Sequence, residues 1–137
     1  AQRYQEYVGV ILVDVDDFKR INDLAGHGTG DRILVEMADR LRHSVRSCDT
    51  VARLEGDAFV ILLPELENAS AAQAVAAKIL SMLLQPLAQP SPRNALGASL
   101  GVATFPDDAG SAEGLLRIAD GRMLRAKRRG GQRIECA

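Results

Sequence analysis

The sequence has no tryptophan, only 4% aromatic residues and a formal net charge of −1. Scarce aromatic side chains argue against a platform on which nucleic-acid bases stack. A nearly neutral chain has no electrostatic attraction to nucleic acid or to a membrane surface. No apolar run approaches the roughly 20 residues that a membrane-spanning helix needs. We therefore expect no nucleic-acid partner and no membrane insertion by this segment.

Cysteine is scarce as well. Cys48 and Cys136 lack the spacing of a metal-binding motif, and two scattered thiols are typical of a reducing compartment. The sequence therefore predicts a cytoplasmic protein with buried thiols. A chain of 137 residues, 47% of them apolar, is long enough for one globular domain. Because the first strand begins by about residue 8, we expect a domain excised from a longer protein.

Hydrophobic periodicity predicts nine elements in the order β-α-α-β-β-α-β-α-β. Strands are predicted at 7–13, 51–54, 58–63, 96–105 and 132–136. Helices are predicted at 18–24, at 31–45, from Asn68 or Ser70 to about Gln85, and from Ser111 to Arg129. This order indicates an α/β sandwich in which helices pack on a mixed sheet.

Three aspartates, at positions 14, 16 and 17, follow the first apolar strand. Alternation along an extended chain places Asp14 and Asp16 on one side and Val15 on the other. An unpaired charge is costly to bury, so these acids do not serve packing. Capping of the next helix by Asp16 or Asp17 explains one acid but not three, and the pattern favours a cation site. Asp31, at the predicted start of the second helix, either caps that helix or binds a ligand.

A second acidic feature lies between two short strands rich in β-branched residues. Glu55, Gly56 and Asp57 leave room only for a tight antiparallel hairpin, with two carboxylates at its tip. Gly and Asp are common in solvated turns, so this tip is either an ordinary turn or a metal or phosphate site.

Several segments, taken together, resemble one family. They are DVDDFKRIND (14–23), GHGTGD (26–31), ARLEGDAFVILLP (52–64), SLGVA (99–103) and AD-x4-RAKRRG (119–130). In this order and spacing they are similar to GGDEF domains, the diguanylate cyclases of bacterial cyclic-di-GMP signalling. The resemblance implies a sheet flanked by helices, related to the nucleotidyl cyclase and polymerase palm. It also implies a homodimer in which two bound GTP molecules react with the help of Mg²⁺ ions held by carboxylates.

The resemblance also implies roles for individual residues. The metal ligands would be Asp14, the Val15 carbonyl and Asp57, and Asp57 would also accept a proton. The remaining implied contacts are with nucleotide. Asn22 and Asp31 would hydrogen-bond the guanine edge, with His27 nearby, and Arg53 would line the site. Lys19 and Lys127 would offset the charge of the triphosphate, and Lys19 and Asp57 would be remnants of the catalytic set.

A second nucleotide site is implied by Arg46 and Asp49. In the family an Arg-x-x-Asp motif ends five residues before the signature and binds cyclic di-GMP as an inhibitor, and this register is kept here. An arginine fork suits a phosphate or the guanine edge, and a carboxylate accepts from guanine N–H groups. The alternative is a surface ion pair after a helix.

The signature itself departs from the family pattern. Glu55 replaces its first glycine and Ala58 its second acid, while Gly131 and Leu124 replace an expected arginine and tyrosine. Loss of even an outer-sphere partner of a metal lowers affinity or activity by about 10–100-fold, so Ala58 predicts a weakened Mg²⁺ site. An alternative is that Glu55 reaches the metal instead.

The sequence therefore predicts a degenerate GGDEF domain that binds GTP, cyclic di-GMP or both and has little or no cyclase activity. An EAL phosphodiesterase domain or a sensor is expected in the same polypeptide. Two alternatives stay open: an active homodimeric cyclase, and an interaction or dimerisation module that binds no nucleotide.

Overall fold

The apolar run near the N-terminus forms the central strand of a five-stranded sheet. The computed structural model describes residues 6–16, 18–54, 57–86 and 97–136, and of His27 the backbone alone. The strands are β1 (Tyr7–Val15), β2 (Thr50–Arg53), β3 (Ala58–Leu66), β4 (Ala98–Phe105) and β5 (Arg133–Glu135). The helices are α1 (Phe18–Ala25), α2 (His27–His43), α3 (Ala69–Leu83) and α4 (Ala112–Arg128). The predicted order of elements and the α/β class are confirmed.

The strands lie side by side in the order β2-β3-β1-β4-β5. β5 runs parallel to β4 and the other pairs are antiparallel, which confirms the predicted mixed sheet. Helices cover both faces of β1 because its side chains alternate between two cores. Ile11 and Val13 join the larger core, to which α1, α2 and α3 contribute. Val10 and Leu12 join the smaller core formed with α4.

The connection between α1 and α2 is shorter than predicted. Gly26 alone makes the turn, with φ of 90°, and α2 begins at the next residue rather than at residue 31. Gly28 and Gly30 are helical, so Asp31 is the fifth residue of α2 and not its cap. Gly30 brings the two helices together, because a Cβ at this position would overlap the side-chain oxygen of Asn22.

Several other boundaries differ from the prediction because strand pairing continues beyond the apolar runs. β1 extends two residues farther, to Val15, so Asp14 and Val15 lie within the strand. β3 continues through Pro64 to Leu66, opposite Tyr7. Asn68 caps α3 by accepting from the backbone N–H of Ala71.

Two further observations concern membrane-spanning helices and the thiols. Among the described residues, no helix is both long and apolar enough to cross a bilayer. The prediction of buried thiols is wrong for Cys48, which is exposed in the turn after α2. Cys136 is half-buried, and this burial raises the pKa of its thiol.

Candidate nucleotide and metal site

Asp14 lies near the end of β1, between two neighbouring strands. Its pairing partners are Ala58, the first residue of β3, and Ser99 in β4. This register brings the hairpin residue Asp57 beside Asp14, close enough for their carboxyl groups to interact. Lys127, in the last turn of α4, reaches the same point. We call the group formed by Asp14, Asp57 and Lys127 the β1 edge.

The Asp14 carboxyl group has two differently placed oxygens. Oδ2 lies 3.2 Å from Lys127 Nζ. Oδ1 is buried and has no hydrogen-bond partner among the residues that the structure describes. Burial is the main cause that raises the pKa of Asp14 from its ordinary 3.8 to about 6; Lys127 opposes this rise and Asp57 adds to it. The carboxyl group therefore has unused capacity to accept a donor or a cation.

Asp16 does not act as the helix cap that the sequence allowed. Its Oδ1 accepts from Ser99 Oγ at 2.7 Å and its Oδ2 from the backbone N–H of Gln132 at 2.8 Å. The Asp16 backbone N–H also donates to the carbonyl of Gly97 at 2.9 Å. Asp16 thus joins the end of β1 to β4 and to the segment after α4. Sequence reasoning missed this role because Ser99 and Gln132 lie 83 and 116 residues away along the chain.

Gly131 is fitted closely to this arrangement. Its φ is +74°, and a Cβ at this position would lie 2.5 Å from Asp16 Oδ2. No L-residue adopts that backbone readily, and the carboxylate leaves no room for a side chain. Local packing therefore favours glycine at this position, where the resemblance implies an arginine.

The Arg46–Asp49 corner lies in the turn that follows α2. Arg46 Nη2 donates to Asp49 Oδ1 at 2.8 Å and to the carbonyl of Pro64 at 2.6 Å, and the Arg46 backbone N–H donates to Asp49 Oδ2 at 2.7 Å. The Asp49 side chain is 1% exposed, whereas that of Arg46 is 46% exposed. Two open hollows of about 330 and 380 Å³ share these two residues.

The remaining predicted residues are dispersed over neighbouring elements. Asn22 is half-buried on α1 with its oxygen against Gly30, whereas Lys19 is exposed on the same helix. Asp31 is exposed on α2. Arg53 is exposed on β2, beside a 210 Å³ hollow lined mainly by apolar side chains. Glu55, Gly56 and the His27 side chain lie outside the described residues.

The chain matches a family model described as diguanylate cyclase, GGDEF domain, over residues 1–133. This chain is a GGDEF domain. It is 40% identical over 130 residues to the bifunctional diguanylate cyclase/cyclic di-GMP phosphodiesterase MucR of Pseudomonas aeruginosa, with 95% of this chain and 19% of that protein covered. It is 38% identical over 138 residues to the diguanylate cyclase TpbB of the same species, with 98% and 32% covered. The domain thus spans at most about a third of these relatives' length.

Solved structures agree with this assignment. The crystal structure of the GGDEF domain of YfiN or TpbB from Pseudomonas aeruginosa aligns with a TM-score of 0.92 at 35% identity, covering 96% of this chain and 83% of that one. An EAL/GGDEF domain protein from M. capsulatus aligns with a TM-score of 0.88 at 41% identity, covering 98% and 87%. The predicted GGDEF fold is confirmed.

GGDEF domains as a family use Mg²⁺, so the donors of the β1 edge can be compared with what that ion needs. The orphaned Asp14 Oδ1 and the neighbouring Asp57 carboxylate suit a hard cation with oxygen ligands. Val15 ends β1 beside them and has a backbone carbonyl to offer. Ala58, directly across from Asp14, adds no oxygen from its side chain. Among the described residues, no group of three or more His, Cys, Asp or Glu side chains is placed to hold a metal. The donors fit one Mg²⁺ ion with few protein ligands.

Proposed function

We propose that this GGDEF domain is a regulatory module that binds GTP, cyclic di-GMP or both and has little or no cyclase activity. It acts within a longer signalling polypeptide that includes an EAL phosphodiesterase domain or a sensor. Its relatives MucR and TpbB, which are several times longer than this domain, support that setting.

The observation that carries the proposal is the position of Ala58. Ala58 is the pairing partner of Asp14, so its side chain begins on the strand that adjoins the proposed metal ligand. A glutamate there would bring a further carboxylate to the β1 edge, whereas a methyl group brings none. A Mg²⁺ ion would be held by Asp14, Asp57 and the Val15 carbonyl, with water in the other positions. Such a site is weakened, and transfer of a phosphoryl group depends on the metal to offset charge.

Nucleotide binding is supported by residues that the core does not require. Asn22 is held between α1 and the first turns of α2 by its contact with Gly30. Asp31 lies one residue beyond Gly30, and an exposed carboxylate there is available to a ligand. An amide and a carboxylate together match the acceptor and donor groups of a guanine edge. Lys127 and the exposed Lys19 would offset phosphate charge.

Binding of cyclic di-GMP is supported by the Arg46–Asp49 corner and its two hollows. The exposed face of the Arg46 guanidinium suits a phosphate or the guanine edge. Asp49 is buried and already accepts from Arg46. For its carboxylate to contact the ligand, the ion pair must open.

Incubation with GTP and Mg²⁺ tests the catalytic part of the proposal. We expect no cyclic di-GMP above background in a chromatographic assay, and ordinary turnover would establish the alternative, an active homodimeric cyclase. That alternative draws support from the retained Asp14, Asp57 and Lys127.

Calorimetry tests the binding part. Asn22→Ala and Asp31→Ala are each expected to weaken GTP binding about tenfold, since each removes hydrogen bonds to the guanine. Asp23→Ala, which removes an exposed acid next to Asn22, is the matched control and is expected to bind as the wild type does. Failure of the wild type to bind either nucleotide would leave the interaction module as the remaining alternative.

A further inference from the structure

We propose that Lys127 is a resident cation that competes with a divalent metal for Asp14, and that metal binding transfers the lysine to the nucleotide phosphate. This inference rests on the proposed function, because it concerns metal and nucleotide at the same β1 edge. It explains why the domain would bind a free metal ion more weakly than a metal ion that arrives with nucleotide.

The Lys127 ammonium group lies where its charge would repel a metal ion bound to Asp14. Lys127 Nζ lies 3.2 Å from Asp14 Oδ2 and 3.9 Å from Asp16 Oδ1. The nearer pairing is with Asp14, since the Asp16 oxygens already accept from Ser99 and from the Gln132 backbone. A metal bound by Asp14 would lie within a few ångströms of this ammonium group, so the two positive charges would repel each other.

Lys127 is also able to leave. Its side chain is 31% exposed and ends in a point charge on a flexible four-carbon stem. Arg122, on the same helix, shows the opposite arrangement. The Arg122 guanidinium donates to both Asp108 oxygens at 3.0 and 2.9 Å and to the Val102 carbonyl at 2.7 Å, which fixes it as a structural group. No comparable set of directional contacts holds the Lys127 ammonium among the described residues; its ion-pair partners there are Asp14 and Asp16.

The consequence is coupling between metal and nucleotide. Free metal must displace Lys127 into water, whereas a metal that arrives with a triphosphate supplies the lysine with a new anionic partner. Each ligand therefore favours the other, as reciprocal linkage requires. Lys127 thus disfavours the free ion and favours the metal–nucleotide complex.

Lys127→Met tests the competition, because methionine keeps much of the stem and removes the charge. Mn²⁺ serves as the probe, and the electron paramagnetic resonance signal of the free ion reports its binding without nucleotide. Even at the dielectric constant of water, a doubly charged ion about 5 Å from an ammonium group is repelled enough to change its affinity roughly tenfold. We expect Lys127→Met to bind Mn²⁺ about tenfold more tightly than the wild type and, in saturating Mg²⁺, to bind GTP more weakly.

Arg128→Met is the matched control. It removes the same charge from the next, exposed residue of α4 and is expected to leave both affinities unchanged. Lys127→Arg, which keeps the charge, is expected to retain the weak Mn²⁺ binding of the wild type.

Opposite shifts in the two affinities distinguish competition from simple damage, which would weaken both. Equal or weaker Mn²⁺ binding by Lys127→Met overturns the inference, and so does an absence of Mn²⁺ binding by both proteins. Failure of the wild type to bind either GTP or cyclic di-GMP would contradict the proposed function, whereas the Mn²⁺ comparison would still decide the competition.

Discussion

The β1 edge and the Arg46–Asp49 corner both pair a basic residue with an aspartate, but they differ in what the aspartate has left to accept. At the edge, one Asp14 oxygen is buried without a partner among the described residues, and the pKa of this carboxyl group is raised to about 6. At the corner, both Asp49 oxygens accept from Arg46. At the β1 edge, a carboxylate oxygen stays available to a ligand, and burial of this charged group lowers the stability of the fold. At the corner, the carboxylate oxygens are used in hydrogen bonds that stabilise the fold.

Asp14→Asn is the change expected to have the largest effect. It removes a proposed metal ligand, so metal affinity is expected to fall about 10–100-fold or more. The same change is expected to stabilise the fold at neutral pH. Mn²⁺ binding and urea unfolding measure the two effects, and Asp107→Asn, which removes an exposed acid, is the control.

The stabilisation has a defined pH dependence. The folded protein holds Asp14 with a pKa of about 6 and the unfolded chain with one near 3.8, so the folded state binds more protons between these values. Wild-type stability therefore falls as pH rises through this window. Asparagine does not ionise, so the advantage of the variant is expected to grow by up to about 3 kcal/mol between pH 4 and pH 7. An advantage that is the same at both pH values would contradict this account of the edge.

Gly131→Ala tests the close packing of Gly131 against Asp16, next to the β1 edge. A Cβ at Gly131 meets Asp16 Oδ2 at 2.5 Å, whereas one at Gly130 has only Arg133 Nη2 nearby, at 3.8 Å. Both glycines have positive φ, so Gly130→Ala shares the backbone strain and controls for it. We expect Gly131→Ala to lower the free energy of unfolding by about 1–3 kcal/mol more than Gly130→Ala does. Equal losses in urea unfolding would show that the contact with Asp16 is easily relaxed.

The same two regions show what the sequence could predict. The order of elements followed from hydrophobic periodicity, and Asp14 was selected as a candidate because a carboxylate at the end of a buried strand has no packing role. The bond from Ser99 to Asp16 was not predictable in this way, since it joins residues 83 positions apart. The start of α2 was misplaced because glycine is a weak helix former, and tertiary packing of Gly30 against Asn22 prevails over that local preference.

The Arg46–Asp49 corner shows a further limit. The ion pair of Arg46 and Asp49, which the sequence left open as an alternative to a ligand site, is present. The motif could not reveal that Asp49 is buried or that Arg46 also reaches Pro64, 18 residues away in β3. A short motif specifies which groups are available, whereas the surrounding fold determines how many of their hydrogen bonds are already made.

Ala58→Glu tests whether the edge lacks only one ligand. The glutamate would extend from the strand position opposite Asp14, and we expect metal affinity to rise at least about tenfold. Without metal the added charge repels Asp14 and Asp57, so the melting temperature is expected to fall and then to recover with Mg²⁺. Ala52→Glu places the same residue at an exposed position of β2 and controls for general effects. A Mg²⁺ response no larger than that of the wild type would mean that Ala58 is not what weakens the site.

Arg46→Ala is expected to have the smallest effect on the free energy of unfolding, and its direction is opposite to that of Asp14→Asn. It removes the ion-pair partner of the buried Asp49 carboxylate and one donor to the Pro64 carbonyl. We expect this to cost about 1 kcal/mol, because the pair is partly screened by water. Arg46→Lys restores the charge but not the fork, so it is expected to recover part of this loss and none of the cyclic-di-GMP binding. Urea unfolding and calorimetry separate the two roles. If micromolar cyclic-di-GMP binding survives Arg46→Ala, the corner is a structural ion pair alone. The two regions would then differ in kind, because the proposed ligand site would be at the β1 edge and the corner would only stabilise the fold.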